Sequence, residues 1–271
     1  MTGQDLGVAL ITGAASGMGQ ATARLMAEQG WSLLLCDRAP DRLSEVADHL
    51  RAWADPEVVP GDIAGQGFPD QLACALDGRP VAALVHCAGL SSSMAGPEQI
   101  LDVNLAATMR LVEIVRPRIC DGAAAVLFAS TAAHLLGSVL DEAIASVVAP
   151  GQVGSLIEYA PSAEAAYSIS KRGVQLLVRR EASAFGARGA RIVSLSPGII
   201  DTPMARAEMQ QHPMMKEMIA SSPIARAAHP DEVARVAMFL CSRAASFITG
   251  TDILVDGGSV AATLAGASAN P

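Results

Sequence analysis

The sequence predicts an α/β fold with one doubly wound parallel sheet of seven strands and helices on both faces. Short apolar runs alternate with helix-length segments over most of the 271 residues, which is the order expected of parallel strands joined by helical crossovers. Apolar residues make up 51% of the chain and charged residues 17%, so a large core can be buried. No repeat or linker interrupts the pattern, and one domain is therefore expected over residues 1–258.

The predicted strands are short and mostly apolar, as expected of strands that are buried on both faces. They cover residues 7–12, 31–36, 57–60, 81–86, 123–129, 191–195 and 252–255. The first helix is closed by Gly30, a residue type favoured just past a helix end. The predicted helices cover residues 17–29, 41–53, 69–76, 97–119, 164–187 and 230–241. Residues 259–271 are rich in Ala, Gly and Ser and are predicted to be a weakly ordered tail.

Composition argues against several classes of function. A net charge of −8 disfavours nucleic acid or an anionic membrane as the main partner. The cysteines and histidines are dispersed without metal-ligand spacing, and the odd number of cysteines fits unpaired thiols in a reducing compartment. The polar N-terminus shows no signal peptide, and no run of about 18 apolar residues predicts a membrane span. We expect a soluble cytoplasmic protein without a metal.

A glycine-rich loop, Thr12–Gly19, follows the first predicted strand and opens the first helix. Glycines permit a tight turn and let backbone N–H groups approach a pyrophosphate at the positive end of the helix. Between a strand and a helix, this pattern predicts a dinucleotide site. The candidate cofactor-binding residues in the loop are Gly13, Ser16, Gly17, Met18 and Gly19.

The second predicted strand ends in a carboxylate, Asp37, which is followed at once by Arg38. A carboxylate at this position can accept hydrogen bonds from the adenosine ribose and repels a 2′-phosphate, which favours NAD over NADP. A guanidinium beside it could bind that phosphate instead. The strand-end position of Asp37 favours NAD, and Arg38 is interpreted as a solvated surface charge.

Tyr167 and Lys171 are four residues apart in a predicted helix, so they share one face of it. A free tyrosine has a pKa of about 10, and a neighbouring cation favours the phenolate and lowers that pKa. The pair therefore predicts a tyrosine that transfers a proton at working pH. The spacing alone is common, and it gains weight from the nucleotide loop upstream.

With these motifs in this order, residues 6–258 resemble the short-chain dehydrogenase/reductase family, in its single-domain branch with Gly-x-x-x-Gly-x-Gly spacing. The further matching positions are Asp62-Ile63, His86-Cys87-Ala88-Gly89, Asn104, Ser130, Tyr167, Lys171, the loop Pro197–Thr202 and the turn Asp256-Gly257-Gly258. The resemblance implies a Rossmann-type sheet and a nicotinamide dinucleotide cofactor. It also implies a homo-oligomer, either a dimer or a tetramer.

The resemblance also implies roles for individual residues. Tyr167 would exchange a proton with the alcohol or carbonyl oxygen, and Lys171 would bind the nicotinamide ribose and lower the tyrosine pKa. Ser130 would bind the substrate oxygen, and Asn104 would hold a water that links Lys171 to solvent. The remaining cofactor-binding candidates are Asp37, Asp62, Ile63, Cys87, Ala88, Gly89, Tyr167, Lys171, Pro197, Gly198, Ile200 and Thr202.

Two features depart from the family's pattern. Cys87 replaces the usual asparagine and is interpreted as a small buried filler. In addition, an apolar segment is inserted between Ser130 and Tyr167, over about residues 134–162. Its apolar positions recur at helical spacing and predict a helical hairpin with one buried face. They are Leu136, Val139, Leu140, Ile144, Val147 and Val148, then Val153, Leu156 and Ile157 after the break at Pro150-Gly151.

The insertion begins at the carboxyl edge of the sheet and returns into the helix that carries Tyr167. We therefore expect it to shape the substrate entrance and to alter the assembly of subunits. Bacterial hydroxysteroid dehydrogenase/carbonyl reductase members of the family carry similar insertions. This likeness suggests a cyclic substrate.

The segment over residues 203–225 is rich in methionine and isoleucine, which either line an apolar pocket or pack the segment's own helices. The expected function is NAD-dependent interconversion of a secondary alcohol and a ketone on an apolar, alicyclic or steroid-like small molecule. One alternative is a 3-oxoacyl thioester reductase, which Asp37 disfavours because that branch usually uses NADPH. Another is a catalytically silent dinucleotide-sensing regulator, which the retained Ser130, Tyr167, Lys171 and Asn104 disfavour.

Overall fold

The computed structural model describes residues 7–147, 149–211 and 214–269. Its centre is a seven-stranded parallel sheet in the order β3-β2-β1-β4-β5-β6-β7. The strands are β1 (Val8–Thr12), β2 (Leu33–Asp37), β3 (Glu57–Pro60), β4 (Val81–His86), β5 (Ile119–Phe128), β6 (Arg191–Pro197) and β7 (Asp252–Val255). The predicted α/β class and seven-stranded sheet are confirmed. The polar N-terminal residues 1–6 and Val148 lie outside the described residues.

Helices cover both faces of the sheet. They are α1 (Gly17–Glu28), α2 (Pro40–Leu50), α3 (Phe68–Leu76), α4 (Pro97–Leu101), α5 (Ala107–Val115), α6 (Thr131–Leu136), α7 (Asp141–Ser146), α8 (Ala163–Gly186), α9 (Pro203–Gln211), α10 (Met214–Ser221), α11 (Pro230–Cys241) and α12 (Ser259–Ala269). Short 3₁₀ helices cover Arg116–Arg118, Pro150–Tyr159 and Arg243–Ala245. Among the described residues, no helix is both long and apolar enough to cross a bilayer.

The core lies on both faces of the sheet because neighbouring strand residues point to opposite sides. Leu10 and Leu34 belong to one buried cluster, which also contains Phe185 of α8. The adjacent residues Ile11 and Leu35 belong to the other cluster. Every residue of β1 is buried, as expected of a central strand between two helical layers.

The strand order reverses at β1, which pairs with β2 on one side and with β4 on the other. In open α/β sheets, ligands bind outside the carboxyl ends of the strands at such a switch point. The chain leaves β1 there through the glycine-rich loop. The segments that follow β4, β5 and β6 leave at the same edge, so this edge is where the predicted site residues should meet.

The predicted helix over 97–119 is interrupted in the structure. A π-helical turn, Asp102–Ala106, separates α4 from α5, and β5 already begins at Ile119. The side chain of Asn104 explains the turn, since its Oδ1 accepts from the Leu90 N–H at 2.7 Å and its Nδ2 donates to the Leu90 carbonyl at 2.9 Å. The turn therefore fixes the loop after β4. Single π turns inside α-helices are often found at functional sites.

The inserted segment consists of the end of α6, α7 and the 3₁₀ helix Pro150–Tyr159. Its buried face is confirmed at four predicted positions, Ile144, Val147, Val153 and Leu156. The prediction was wrong for Val139, which is 81% exposed in the turn before α7, and for Ile157, which is 37% exposed in the 3₁₀ helix. The segment is tied to α8 because Arg172 donates to both carboxylate oxygens of Asp141, at 2.7 and 2.6 Å.

Residues 259–269, for which the composition suggested a weakly ordered tail, form the helix α12. Asp256 stabilises the start of this helix, because its two carboxylate oxygens accept from the N–H groups of Gly258 and Val260 at 2.9 and 2.7 Å. The side chain of Val260 is buried against the body. Alanine has the highest helix propensity, so the same composition that suggested a tail also favours a helix.

Candidate active site

Two adjoining cavities open at the carboxyl edge of the sheet. The first, which we call the nucleotide cleft, brings together most of the predicted cofactor-binding residues. These are Gly13, Ser16, Gly17, Met18, Gly19, Asp37, Asp62, Ile63, Cys87, Ala88, Gly89 and Thr202. The second, the substrate cavity, is lined by Ser130, Tyr167, Lys171, Pro197, Gly198 and Ile200. Met18, Cys87, Gly89 and Thr202 line both cavities, so a ligand in one touches the walls of the other.

The glycine-rich loop is packed too closely for larger residues. A Cβ on Gly19 would lie 2.1 Å from the Gly13 carbonyl oxygen, and one on Gly13 would lie 2.7 Å from the Ala88 nitrogen. Gly13 and Gly17 also have positive φ angles of 69° and 55°, which strongly favour glycine. The loop therefore holds its backbone tightly against the segment after β4, with the start of α1 at the cleft.

Asp37 lies at the end of β2 in the nucleotide cleft. Its Oδ2 accepts from the Ala15 N–H and its Oδ1 from the Ala39 N–H, each at 3.0 Å. These bonds fix the carboxylate next to the glycine-rich loop. Arg38 is exposed and lines the same cleft, so both side chains weighed from the sequence are present there.

Ser130, Tyr167 and Lys171 meet in the substrate cavity, which adjoins the nucleotide cleft. Ser130 caps α6, with its Oγ accepting from the Ala132 N–H at 3.2 Å. Tyr167 and Lys171 lie one turn apart on α8, and the Lys171 Nζ is 5.8 Å from the centre of the tyrosine ring. This Nζ also donates to the Phe128 carbonyl at 2.9 Å. The three groups are thus held by α6, α8 and the end of β5.

The electrostatics of the pair differ from the sequence-based expectation. Burial raises the pKa of Tyr167 above its usual value; a hydrogen bond with Ser130 lowers it in part, and the Glu208 carboxylate raises it. Burial also lowers the pKa of Lys171 to about 8. Burial therefore outweighs the other effects on the phenol, and the lowering of the Tyr167 pKa by Lys171 stays a prediction.

Asn104 lies next to the site, but its amide is bonded to the backbone of Leu90. A Cβ on Gly89 would lie 3.0 Å from the Asn104 Oδ1 and 3.4 Å from the Lys171 Nζ. Gly89 therefore packs against both polar groups, and a larger residue at this position would crowd them. The predicted water held by Asn104 stays a prediction. The observed contacts make Asn104 a residue that positions the loop between the two cavities.

His86 is a buried link that the sequence analysis did not identify. Thr12 Oγ1 lies 2.6 Å from His86 Nδ1, and Thr108 Oγ1 lies 2.8 Å from His86 Nε2. Burial lowers the pKa of His86 to about 3, so the ring is neutral. Thr108 donates to the Asn104 carbonyl at 2.8 Å, so it accepts from His86 Nε2–H, and Nδ1 accepts from Thr12. These hydrogen bonds connect the glycine-rich loop to the π turn. The sequence feature that could have indicated them is the threonine four residues after Asn104.

The methionine-rich segment contributes part of the substrate cavity. Met204, Met215 and Met218 line the cavity, which confirms the pocket interpretation for these residues. Ile219 and Ile224 line a separate neighbouring cavity instead. The side chain of Met214 lies outside what the structure describes. The three methionines therefore form an apolar part of the cavity that Tyr167 also lines.

Known proteins are similar to this chain in sequence and architecture. A family model described as enoyl-(acyl carrier protein) reductase matches residues 13–260. A cis-4-hydroxycyclohexanecarboxylate dehydrogenase of Sinomonas cyclohexanicum is 35% identical, over 93% of this chain and 95% of the relative. A 3-alpha-hydroxysteroid dehydrogenase/carbonyl reductase of Comamonas testosteroni is 31% identical, over 93% of this chain and 96% of the relative.

Among solved structures, the 3-alpha-hydroxysteroid dehydrogenase from Pseudomonas sp. B-0831, complexed with NADH, matches with a TM-score of 0.79. It is 29% identical and the match covers 95% of this chain and 98% of that one. Because the match extends over nearly the whole chain in sequence and in fold, the predicted resemblance is confirmed: the protein belongs to the short-chain dehydrogenase/reductase family of oxidoreductases.

Proposed function

We propose that the protein is an NAD-dependent oxidoreductase that interconverts a secondary alcohol and a ketone on an apolar cyclic substrate. The observation that carries this proposal is the meeting of Ser130, Tyr167 and Lys171 in a cavity that adjoins the nucleotide cleft. An acid–base group, a hydrogen-bond donor for the substrate oxygen and a cation then surround one reaction centre.

The residues of the cleft fit a nicotinamide dinucleotide. The loop leaves no room for a Cβ at Gly13 or Gly19, and it brings backbone and the start of α1 to the position where a pyrophosphate is bound in such folds. Asp37 is fixed beside it for the adenosine ribose. When bound, the cofactor supplies the acceptor or donor of hydride.

Protein groups would handle the proton and the developing charge. In alcohol oxidation, Tyr167 Oη as a phenolate accepts the hydroxyl proton of the substrate, and it returns this proton in ketone reduction. Ser130 Oγ donates a hydrogen bond to the substrate oxygen, and the Lys171 ammonium stabilises negative charge at the centre. Lys171 is held by the Phe128 carbonyl, so little reorganisation is needed during reaction.

Asp37 supports the choice of NAD over NADP. The carboxylate would repel a 2′-phosphate, whereas the exposed Arg38 can move away. We expect a higher kcat/KM with NAD than with NADP. In Asp37→Asn, the ratio of kcat/KM with NAD to kcat/KM with NADP should fall roughly tenfold, which corresponds to an interaction of about one pKa unit. Asp41→Asn, on the exposed start of α2, is the control. A wild-type preference for NADP would mean that Arg38 governs the pocket.

The pH dependence of the reaction follows from the raised pKa of Tyr167. Oxidation needs the phenolate, so its kcat/KM is expected to rise with pH through the alkaline range, and loss of the Lys171 proton around its pKa of about 8 should make that rise less steep. Reduction needs the neutral phenol, so its kcat/KM is expected to fall over the same range. Rate–pH profiles in both directions test this. An oxidation rate that is flat or falls with pH would contradict a phenol as the base.

Cyclic substrates are supported by the three methionines that line the cavity and by the names of the relatives, which act on a hydroxycyclohexanecarboxylate and on hydroxysteroids. The test of the proposed function is a panel of cyclic and linear secondary alcohols with NAD and with NADP. Oxidation of cyclic alcohols is the expected result. A panel without turnover by folded protein would contradict it.

We also propose a homo-oligomer in the cytoplasm, whose reducing conditions suit five cysteines that form no disulfide bond in the described part of the chain. Phe247 is fully exposed, and Leu254 on β7 is 38% exposed, so apolar surface is available for a second copy at this edge of the sheet. The insertion covers part of α8 through the ion pair between Asp141 and Arg172. It would therefore restrict the use of α8 as an interface.

Replacement of residues 136–158 by a short Gly-Ser loop tests the insertion. We expect a changed mass in light scattering, because α8 becomes uncovered. We also expect a changed KM for a bulky alcohol, because the replaced residues continue from α6, whose N-cap Ser130 lines the substrate cavity. Arg172→Ala, which removes the tie to Asp141 and the hydrogen bond that Arg172 donates to Gln175, is the milder variant. If mass and KM both stayed unchanged for bulky and small alcohols, the insertion would have no role in assembly or entry.

A further inference from the structure

Glu208 of α9 brings a carboxylate to the wall of the substrate cavity that faces Tyr167. Its Oε1 accepts a hydrogen bond from Ser93 Oγ at 3.4 Å, which joins α9 to the loop after β4. The negative charge contributes to the raised pKa of Tyr167. The carboxylate therefore acts electrostatically on the reacting end of the cavity.

The other charged groups around the cavity do not offset this carboxylate. Glu164 at the start of α8 lines the cavity as well. Among the described lining residues, Lys171 is the one cation, and its ammonium is buried and bonded to the Phe128 carbonyl. The described side chains that line the accessible part of the cavity therefore include two carboxylates and no exposed ammonium or guanidinium group.

The remaining polar groups are hydroxyls. Ser91 and Ser92 line the cavity on the loop after β4, and Ser91 Oγ lies 3.0 Å from Ser93 Oγ. The cavity thus combines a reactive end, a methionine wall, and hydroxyl and carboxylate groups that can accept hydrogen bonds. A second hydroxyl or an ammonium group on a substrate ring would find acceptors there.

We propose that Glu208 determines substrate charge, so that the cavity takes uncharged or cationic cyclic secondary alcohols and excludes those with a carboxylate. A substrate carboxylate would meet two glutamates and, among the described lining residues, no accessible cationic side chain, and like charges in a partly desolvated cavity repel. This inference rests on the proposed function, because it concerns the substrate of the same site. The protein would then differ from its Sinomonas relative, whose name specifies a hydroxycyclohexanecarboxylate.

The test compares cyclohexanol, cis-4-hydroxycyclohexanecarboxylate and 4-aminocyclohexanol with the wild type, Glu208→Gln and Glu217→Gln. Glu217 is an exposed glutamate of the neighbouring α10, so its variant matches the change in charge away from the cavity. The wild type is expected to prefer the amine and the neutral alcohol. Glu208→Gln should raise kcat/KM for the carboxylate relative to cyclohexanol, and lower it for the amine, each by roughly twofold to fivefold, the range of partly solvated charge pairs.

A second readout separates an electrostatic role from a change in shape. Removal of the Glu208 charge should lower the pKa of Tyr167, so the rising limb of the oxidation profile should move to lower pH in Glu208→Gln and stay in place in Glu217→Gln. The role of Glu208 would be overturned if all three proteins showed the same kcat/KM for the carboxylate and for the amine relative to cyclohexanol. A wild type that prefers the carboxylate would overturn it as well. No oxidation of any alcohol by folded wild type would overturn the proposed function, and this inference with it.

Discussion

Tyr167→Phe is expected to reduce kcat for alcohol oxidation by about 10²–10⁴-fold, the usual contribution of a positioned acid–base group. The substitution removes only the phenol oxygen, and the ring keeps its place on α8 beside Lys171. The affinity for NAD should stay within about twofold, because the glycine-rich loop and Asp37 are untouched. Steady-state rates and a cofactor titration by fluorescence measure the two quantities.

The chain offers a matched control for this substitution. The other tyrosine, Tyr159, is 41% exposed and lies in the 3₁₀ helix of the insertion. Tyr159→Phe should leave both kcat and the affinity for NAD unchanged. If Tyr167→Phe kept more than a few per cent of the activity, another group would have to carry the proton.

Lys171→Ala is expected to impair both catalysis and cofactor binding. Loss of the buried ammonium removes a preorganised charge at the reaction centre, which should lower kcat by on the order of a hundredfold. It also removes the charged donor that we propose for the nicotinamide ribose, which should weaken NAD binding roughly tenfold, equivalent to one hydrogen bond to a charged group. The Phe128 carbonyl loses its donor as well, so stability should fall.

Two further variants separate these effects. Lys171→Met keeps most of the side-chain volume without the charge, so it should lose activity and cofactor affinity with less damage to packing. Lys216→Ala, on the exposed face of α10, controls for the loss of a lysine. Unchanged NAD affinity in both Lys171 variants would exclude a contact between Lys171 and the nicotinamide ribose. The loss of kcat would then measure only the effect of the ammonium charge at the reaction centre.

The nucleotide cleft could be predicted well from the sequence because its requirements are local. Gly13 and Gly19 are needed where two backbones approach within a few ångströms, and such positions admit no other residue. Asp37 could be assigned to the cleft because it is the last residue of β2, and the end of a strand fixes the position of its Cα at the carboxyl edge of the sheet. Short-range geometry is directly encoded in residue type, so the pattern was sufficient.

The electrostatic state of the catalytic residues could not be predicted in the same way. Helical spacing correctly placed Tyr167 beside Lys171, but their pKa values depend on burial by elements far away in sequence. Glu208 reaches the cavity through α9, and no local pattern connects it with Tyr167. Asn104 similarly acquires its partner, Leu90, only when the loop after β4 folds against the π turn.

The insertion lies between these cases. Its apolar spacing predicted that Ile144, Val147, Val153 and Leu156 are buried, and they are. The same spacing wrongly included Val139, because the chain turns between α6 and α7 and helical periodicity has no meaning across a turn. The tie from Asp141 to Arg172 is a contact between distant segments, which periodicity does not encode.

Transfer of hydride from an alcohol carbon to the nicotinamide is the central claim, and isotope labelling tests it most directly. Wild-type protein would be incubated with NAD and cyclohexanol deuterated at the carbinol carbon, and the reduced cofactor analysed by mass spectrometry. The expected result is NADH that carries one deuterium, formed more slowly than from unlabelled cyclohexanol, with little product from Tyr167→Phe. Formation of cyclohexanone without deuterium in the cofactor would contradict the claim, as would an oxidised cofactor that stays unchanged with every cyclic alcohol supplied.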